Sequence, residues 1–214
     1  LQSCEPRLIL NGMMFTSDSS GNEKVIPAVW HGIDEGLVDR VWMPTYSELS
    51  SGRIAENPDE IVLDSHIAKA LEVEVEDTIE ISSGYGKSTY KVVGIGFHSM
   101  HLYFATEGSS IPAEAGTFAT GYLTDEGLEQ LANLSAGSSN MILIDVEGSP
   151  VYDLQSTTEV NENPELTKLV NDISALMYVV DDSPVSVYDR SGVFSVELLR
   201  ADAEGASKMY PYVT

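Results

Sequence analysis

The sequence predicts an α+β fold, in which both ends of the chain build an α/β layer and the middle forms a β-rich module. Two observations lead to this prediction. Toward each end, strand-like runs and amphipathic helix patterns follow one another, which is typical of an α/β layer. In the middle, short runs rich in β-branched residues are interrupted by one short helix pattern.

The first segments predict a β-hairpin. Residues 7–15 (RLILNGMMF) and 25–33 (VIPAVWHGI) are apolar and rich in β-branched or aromatic residues, and residues 17–24 between them have turn composition. Residues 34–42 (DEGLVDRVW) predict a short helix. Residues 43–60 are expected to form mostly loop.

The most regular block of the sequence begins at residue 60. Residues 60–64 (EIVLD) predict a strand, and residues 65–72 (SHIAKALE) predict a short helix capped by Asp64 or Ser65. This strand and helix are expected to belong to the β-rich module.

The stretch SSGYGKSTY contains Gly-Lys-Ser, the end of a phosphate-binding loop. Such a loop needs a glycine five residues before Gly86, and that position is Ile81. The flanking residues 77–82 and 88–97 predict strands, whereas a phosphate loop would open a helix. The stretch therefore predicts a β-hairpin whose turn uses positive φ at Gly84 and Gly86.

The rest of the chain continues the α/β pattern. The predicted elements are a strand extending the sheet at 102–104, a loop at 105–119, a helix at 123–135, a buried strand at 140–146, a polar connection at 147–164, a helix at 165–177, a strand at 183–189 and a weak helix leading out of the domain at 191–214. The length of the loop 105–119 suggests a contact surface for a partner.

Charge limits the classes of partner. The chain carries 34 acidic and 11 basic residues, a formal net charge of −23. Nucleic acid is therefore not expected as a partner, because binding it depends on lysine and arginine neutralising phosphates. The acidity favours solubility in a salty or extracellular medium, with a cationic partner as the alternative.

No catalytic, cofactor or metal site is expected. No serine lies in a G-x-S-x-G motif, and the single cysteine, Cys4, rules out an internal disulfide. His98 and His101 are three residues apart, but in a segment that resembles a strand end rather than a helix. Asn133 begins the sequon Asn-Leu-Ser, a possible glycosylation site.

The order of several short motifs between residues 25 and 180 resembles the extracytoplasmic core domain of MacB/FtsX-type ABC transporter permeases. The motifs are Gly-Ile-Asp, Gly-Arg, an Ala-x-x-Leu helix pattern, an Asp-Thr turn and a strand ending in Val-Val-Gly-Ile. Their family-signature residues here are Gly32, Asp34, Gly52, Arg53, Ala68, Leu71, Asp77 and Gly94. The sequence departs from the family at Glu76, where the family usually has glycine.

The resemblance implies a non-catalytic domain outside the membrane, anchored by transmembrane helices of a longer parent protein. The chain begins at Leu1 rather than Met and is expected to be a fragment of that parent. The implied partners are a separate ABC ATPase subunit or domain, a permease dimer partner and an unknown substrate or accessory protein. The family's subdomains would be a porter-like α/β part from residues 1–48 and 120–190, and a β-rich Sabre-like insertion at 49–119.

Two alternatives remain open. The stretch IVLDSHIAKALEVEVEDTIEI also resembles double-psi and swapped-hairpin barrels, which occur in DNA-binding regulators and in amino-terminal domains of AAA ATPases. The acidity argues against DNA binding. The second alternative is a free-standing extracellular binding module, and a hydrolase is the most distant reading.

Overall fold

A computed structural model describes residues 3–17, 23–33, 41–42, 51–84, 86–98, 114–145 and 164–180. The chain divides into two units, Leu1–Glu147 and Gly148–Thr214, and each is described by itself.

The described elements of the first unit are nine strands and two helices. They are β1 (Ser3–Ser17), β2 (Glu23–Gly32), β3 (Val41–Trp42), β4 (Ser51–Gly52), β5 (Glu60–Asp64), α1 (Ser65–Leu71), β6 (Thr78–Ser82), β7 (Ser88–His98), β8 (Ala119–Leu123), α2 (Asp125–Ala132) and β9 (Met141–Asp145). The second unit contains α3 (Pro164–Val180). Among the described helices, none has the length and apolar character needed to cross a membrane.

Six strands pair in a closed ring, in the order β2, β8, β5, β7, β6, β1 and back to β2. The pairs β2/β8 and β5/β7 are parallel, and the other four are antiparallel. Such closure satisfies the backbone groups on both sides of each strand. The prediction of a mixed fold of helices and strands is confirmed, and the described part of the chain has a larger mixed sheet and fewer helices than the sequence suggested.

Three strands lie outside the ring. β3 and β4 pair with β7, and β9 pairs with the first residues of β1, from Ser3↔Asp145 to Arg7↔Met141. The predicted N-terminal hairpin is confirmed by the β1–β2 register, which runs from Leu8↔Gly32 to Ser17↔Glu23. β1 is longer than predicted because its two halves have different partners.

The ring is filled by side chains around Trp30, which is fully buried. Its indole Nε1 donates a hydrogen bond to the Ser82 carbonyl oxygen at 2.9 Å, so the interior polar group is satisfied. Gly12 and Gly121 leave room for the indole. A Cβ on Gly121 would lie 3.0 Å from the ring and 2.7 Å from Cδ1 of Ile61, and a Cβ on Gly12 would overlap the indole.

α1 forms where the sequence predicts, whereas α2 is shorter than the predicted helix 123–135, because Leu123 belongs to β8 and Asn133 ends the helix in a left-handed conformation. Asp64 caps α1 by accepting the His66 amide at 2.8 Å, and Thr124 caps α2 by accepting the Gly127 amide at 3.0 Å. α2 is fixed to the sheet by the Tyr90 hydroxyl, which donates to the Gly127 carbonyl at 3.0 Å. Burial raises the pKa of Tyr90 to about 12.

Two sequence predictions are wrong. Val41 and Trp42, the last two residues of the predicted helix 34–42, form a strand instead, because they pair with the end of the long strand β7. The predicted strand 140–146 forms, but it is not buried: Met141, Ile142 and Ile144 are exposed, since β9 lies outside the ring. An apolar run predicts a strand, but it does not predict whether other elements of the fold bury that strand.

Other predictions fall partly outside the described residues. β8 begins at Ala119, the last residue of the predicted loop 105–119, of which residues 105–113 are not described. The predicted helix 165–177 is confirmed as α3. The predicted elements at 102–104, 183–189 and 191–214, and residues 34–40, lie outside the described residues.

Candidate functional site

Gly52 and Gly94 face each other where β4 pairs with β7. Gly52 has φ +83°, and a Cβ there would lie 2.8 Å from the Gly94 Cα and would overlap the Val93 carbonyl oxygen. A residue other than glycine would meet both a strained backbone and a clash. Two family-signature glycines therefore form one close backbone contact.

Arg53, the next signature residue, binds a carboxylate that the sequence analysis did not single out. Its guanidinium donates to both Glu60 oxygens, at 2.8 and 2.5 Å, and the Glu56 and Asn57 amides donate to the same carboxylate at 2.9 and 3.2 Å. The Asn57 side-chain amide adds a bond at 3.0 Å. Glu60 thus ties the loop 53–59 to the start of β5.

These hydrogen bonds stabilise the negatively charged form of Glu60. The hydrogen bond from Arg53 is the largest cause, and with the amide donors it holds the pKa of Glu60 well below its usual range, although burial opposes the shift. The Glu60 side chain is 9% exposed, whereas that of Arg53 is 44% exposed. The sequence does contain a signal for this ion pair, because Glu60 follows Arg53 by seven residues and stands at the start of an apolar strand.

Asp77 organises the turn between α1 and β6. Its carboxylate accepts the Glu74 amide at 2.8 Å, and its carbonyl accepts the Val92 amide at 2.8 Å. The preceding residue, Glu76, has φ +83° and donates its amide to the Val92 carbonyl at 2.8 Å. The family's glycine would therefore be free of strain at this position, and the glutamate here is strained.

Ala68 and Leu71 lie in α1 and serve packing. Ala68 is buried, and its carbonyl accepts the amides of Glu72 and Val73, which ends the helix. Leu71 is half-buried and packs against the core of the ring. The small and large apolar residues of the Ala-x-x-Leu pattern thus set how closely α1 approaches the sheet.

Gly32 and Asp34 lie at the end of β2. A Cβ on Gly32 would be 2.6 Å from Oδ1 of Asp125, so glycine allows the first turn of α2 to pack against β2. Asp34 lies outside the described residues. Gly32 is not part of the contacts made by Gly52 and Asp77.

Residues 92–94 of β7 are the point where two signature segments meet. The Arg53 amide donates to the Val93 carbonyl at 3.0 Å, Gly52 lies against Gly94, and the turn at Asp77 exchanges backbone hydrogen bonds with Val92. We call this contact region the 92–94 junction. It brings Gly52, Arg53, Asp77 and Gly94 together. The sequence predicted the order of these residues along the chain but not that they meet in space.

Histidines occupy two other places. The rings of His31 and His98 lie 5.5 and 5.9 Å from the ring of Tyr122, and all three residues are buried. His66 Nδ1 lies 2.8 Å from Oδ1 of Asp64, and this hydrogen bond raises the pKa of His66. His101 is outside the described residues.

The described residues contain no group of three or more His, Cys, Asp or Glu side chains placed to hold a metal ion. The contacts of the 92–94 junction are backbone hydrogen bonds, close glycine packing and one ion pair. Such an arrangement fixes loops and turns to a strand, which is a structural task.

Comparison of the chain with protein-family models and with curated proteins finds no match.

Proposed function

We propose that this chain is the extracytoplasmic domain of an ABC transporter permease of the MacB/FtsX type. In this role it is non-catalytic, and it couples ATP hydrolysis on the cytoplasmic side to the movement or release of a substrate outside the membrane. The observation that carries the proposal is the 92–94 junction. Its signature residues stand at positions where the backbone or a charge needs those residue types.

The residue types at the junction have separate physical reasons. Gly52 adopts positive φ and its backbone lies close to that of Gly94, and Arg53 completes the bonding of the buried Glu60 carboxylate. Glu76 has the positive φ that the family's glycine would adopt without strain. A chance match of motifs would not be expected to put these conformations at the matching positions.

A mechanical role suits the closed ring. Each strand of the ring is paired on both sides, and Trp30 fills the interior, so the ring is expected to move as a rigid element. The partners in this proposal are a separate ABC ATPase subunit or domain, a second permease and an unknown substrate or accessory protein.

The family's two subdomains belong to this proposal. The porter-like part would comprise residues 1–48 and 120–190, and the Sabre-like insertion residues 49–119. In this chain the two parts share one sheet, because β6 pairs with β1 and β5 pairs with β8. Motion would then involve the ring as a whole rather than one part sliding against the other.

The closed ring also favours a second candidate, a barrel domain that binds a partner. Six strands with two parallel pairs form the kind of architecture that the double-psi resemblance predicts. The net charge of −23 would direct such a domain toward a protein or a cationic ligand rather than DNA. The permease interpretation is preferred because it also accounts for the Gly-Arg pair, Gly52 and Arg53.

Purification of the parent protein tests the two candidates. The parent would be affinity-tagged, extracted from the membranes of its own cells in detergent and identified with its partners by mass spectrometry. The permease proposal predicts an ABC ATPase in the same complex or chain, and ATP hydrolysis that disappears when the catalytic glutamate of that ATPase is replaced. Recovery as a water-soluble protein without an ATPase would reject it and favour the binding module.

A further inference from the structure

The sequon Asn133-Leu134-Ser135 lies on the surface where α2 ends. Asn133 follows the last residue of α2 and has φ 53° and ψ 44°, a left-handed conformation that asparagine tolerates better than most residues. Asn133, Leu134 and Ser135 are all exposed. The sequence contains no second asparagine followed at two residues by serine or threonine with a residue other than proline between.

The side-chain amide of Asn133 makes no hydrogen bond with the described part of the chain. Asn140, at the other end of the same loop, is different. Its side-chain oxygen accepts the Ile9 amide at 2.9 Å and its Nδ2 donates to the Ile9 carbonyl at 2.6 Å. The loop therefore has one asparagine that pins it to β1 and another whose amide faces solvent.

The backbone around Asn133 is fixed without using that amide. The amide N–H of Leu134 donates to the Glu129 carbonyl at 2.9 Å, and that of Asn133 donates to the Gln130 carbonyl at 3.2 Å. The Glu129 carboxylate accepts the amides of Gly137 and Ser138 at 2.5 and 2.9 Å. A group attached to the Asn133 side chain would break none of these bonds.

We infer that Asn133 carries an N-linked oligosaccharide. The inference rests on the extracytoplasmic location in the proposed function, because sequon glycosylation occurs on exported chains. The donor is a polyprenol phosphate-linked oligosaccharide. The bond between sugar C1 and the phosphate oxygen breaks, a bond from C1 to Asn133 Nδ2 forms, and Nδ2 releases one proton while the lipid phosphate leaves.

Variants at Ser135 give a matched test. Ser135→Ala removes the hydroxyl that the transferase needs, while the Ser135 carbonyl keeps its bonds from the Ser138 amide and hydroxyl at 3.2 and 2.7 Å. Ser135→Thr retains a hydroxyl and is the control. The parent protein would be purified from its own cells, and the peptide containing Asn133 would be measured by mass spectrometry.

A second measurement reports location independently of glycosylation. Cys4 is exposed and is the single cysteine of this chain. A membrane-impermeant maleimide added to intact cells would label Cys4 if the domain lies outside, and a Cys4→Ser variant controls for other cysteines of the parent. Labelling therefore separates failure of the location from failure of the glycosylation site.

The inference predicts a sugar mass on the Asn133 peptide of the wild type and of Ser135→Thr, and at least a tenfold smaller modified fraction in Ser135→Ala. An unmodified peptide together with labelled Cys4 would overturn the glycosylation site and leave the proposed location standing. An unmodified peptide together with unlabelled Cys4 would overturn both.

Discussion

Replacing Glu76 with glycine is expected to stabilise the protein. Glu76 has φ +83°, a conformation that costs a residue with a Cβ about 1–2 kcal/mol. Glycine removes this strain but loses more entropy on folding, about 0.5–1 kcal/mol. The strain is the larger of the two, so Glu76→Gly should be more stable than Glu76→Ala by about 0.8 kcal/mol.

One interaction is lost in both variants. Glu76 Oε2 lies 2.6 Å from Lys91 Nζ, and the two side chains are 73% and 44% exposed. An exposed ion pair of this kind contributes about 0.3 kcal/mol. Compared with the wild type, Glu76→Gly should therefore gain about 0.5 kcal/mol, and Glu76→Ala should lose about 0.3 kcal/mol.

Urea unfolding followed by tryptophan fluorescence measures this difference. Both tryptophans, Trp30 and Trp42, belong to the first unit, so the signal reports the unit that contains the substitution. For a slope near 2 kcal/mol per molar urea, the midpoints of the two variants should differ by about 0.4 M. Glu74→Gly is the matched control. It should lose about 0.5–1 kcal/mol, because Glu74 is not among the residues with positive φ.

Equal unfolding midpoints and equal slopes for Glu76→Gly and Glu76→Ala would contradict this prediction. That result would mean that the turn before Asp77 carries no backbone strain. The correspondence between Glu76 and the family's glycine would then lose its physical basis.

Three further predictions concern packing and charge. Gly12→Ala should destabilise the first unit by about 3 kcal/mol, because the new methyl group would overlap the Trp30 indole, and the near-ultraviolet circular dichroism of Trp30 should weaken. The hydrogen bond with Asp64 raises the pKa of His66 in the folded state. The stabilisation contributed by His66 is therefore complete below pH 6.5 and is lost as the pH rises through the folded pKa. His66→Ala should make the free energy of unfolding depend less on pH in that range. The pKa of Glu60 is lowered, so its contribution is present above pH 4.5 and is lost as the pH falls; Glu60→Gln should be less stable at pH 7, with the gap narrowing in acid.

Each of these predictions has an outcome that contradicts it. An unchanged unfolding midpoint for Gly12→Ala would show that the indole does not lie against that backbone, with Asn11→Ala as an exposed control on the neighbouring residue. For His66, equal slopes of stability against pH in wild type and variant between pH 6 and 8 would exclude the pairing with Asp64. For Glu60, a stability gap independent of pH would exclude its charged state as the cause.

Elements set by local signals were predictable from the sequence. The cap at Asp64 and the apolar stripe after it define α1, and the hairpin of β6 and β7 follows from alternating residues around Gly84 and Gly86. Both glycines have positive φ, as the turn requires. In these segments the residues that decide the structure are neighbours in the chain.

Closure of the ring was not predictable in the same way. The pairings Met13↔Ser82 and Val62↔Tyr122 join residues about 60 positions or more apart, and alternation along a strand does not encode its partner. Trp30 could be recognised as a core residue, but its bond to Ser82 depends on that closure. The residue patterns therefore indicated strands without their partners, and closure was indicated through the resemblance of residues 61–81 to double-psi and swapped-hairpin barrels.

The candidate site shows the same division. The signature motifs indicated Gly52, Arg53 and Gly94 in their order along the chain. That these residues meet at β7 depends on the pairing of β4 with β7, and β4 has two residues, too few to produce a recognisable sequence pattern. Glu60 was missed because a charged residue at the edge of an apolar strand is usually solvated. The hydrogen bonds from Arg53 explain how the Glu60 carboxylate can be buried.

The central claim is that this chain lies outside a membrane as part of an ABC permease. Its most direct test is the sequence of the parent gene on both sides of Leu1 and Thr214. The account predicts one apolar span of about 20 residues shortly before Leu1 and about three such spans after Thr214. A parent with a cleaved export signal and no membrane-spanning segment would contradict the account and identify a free-standing extracellular protein.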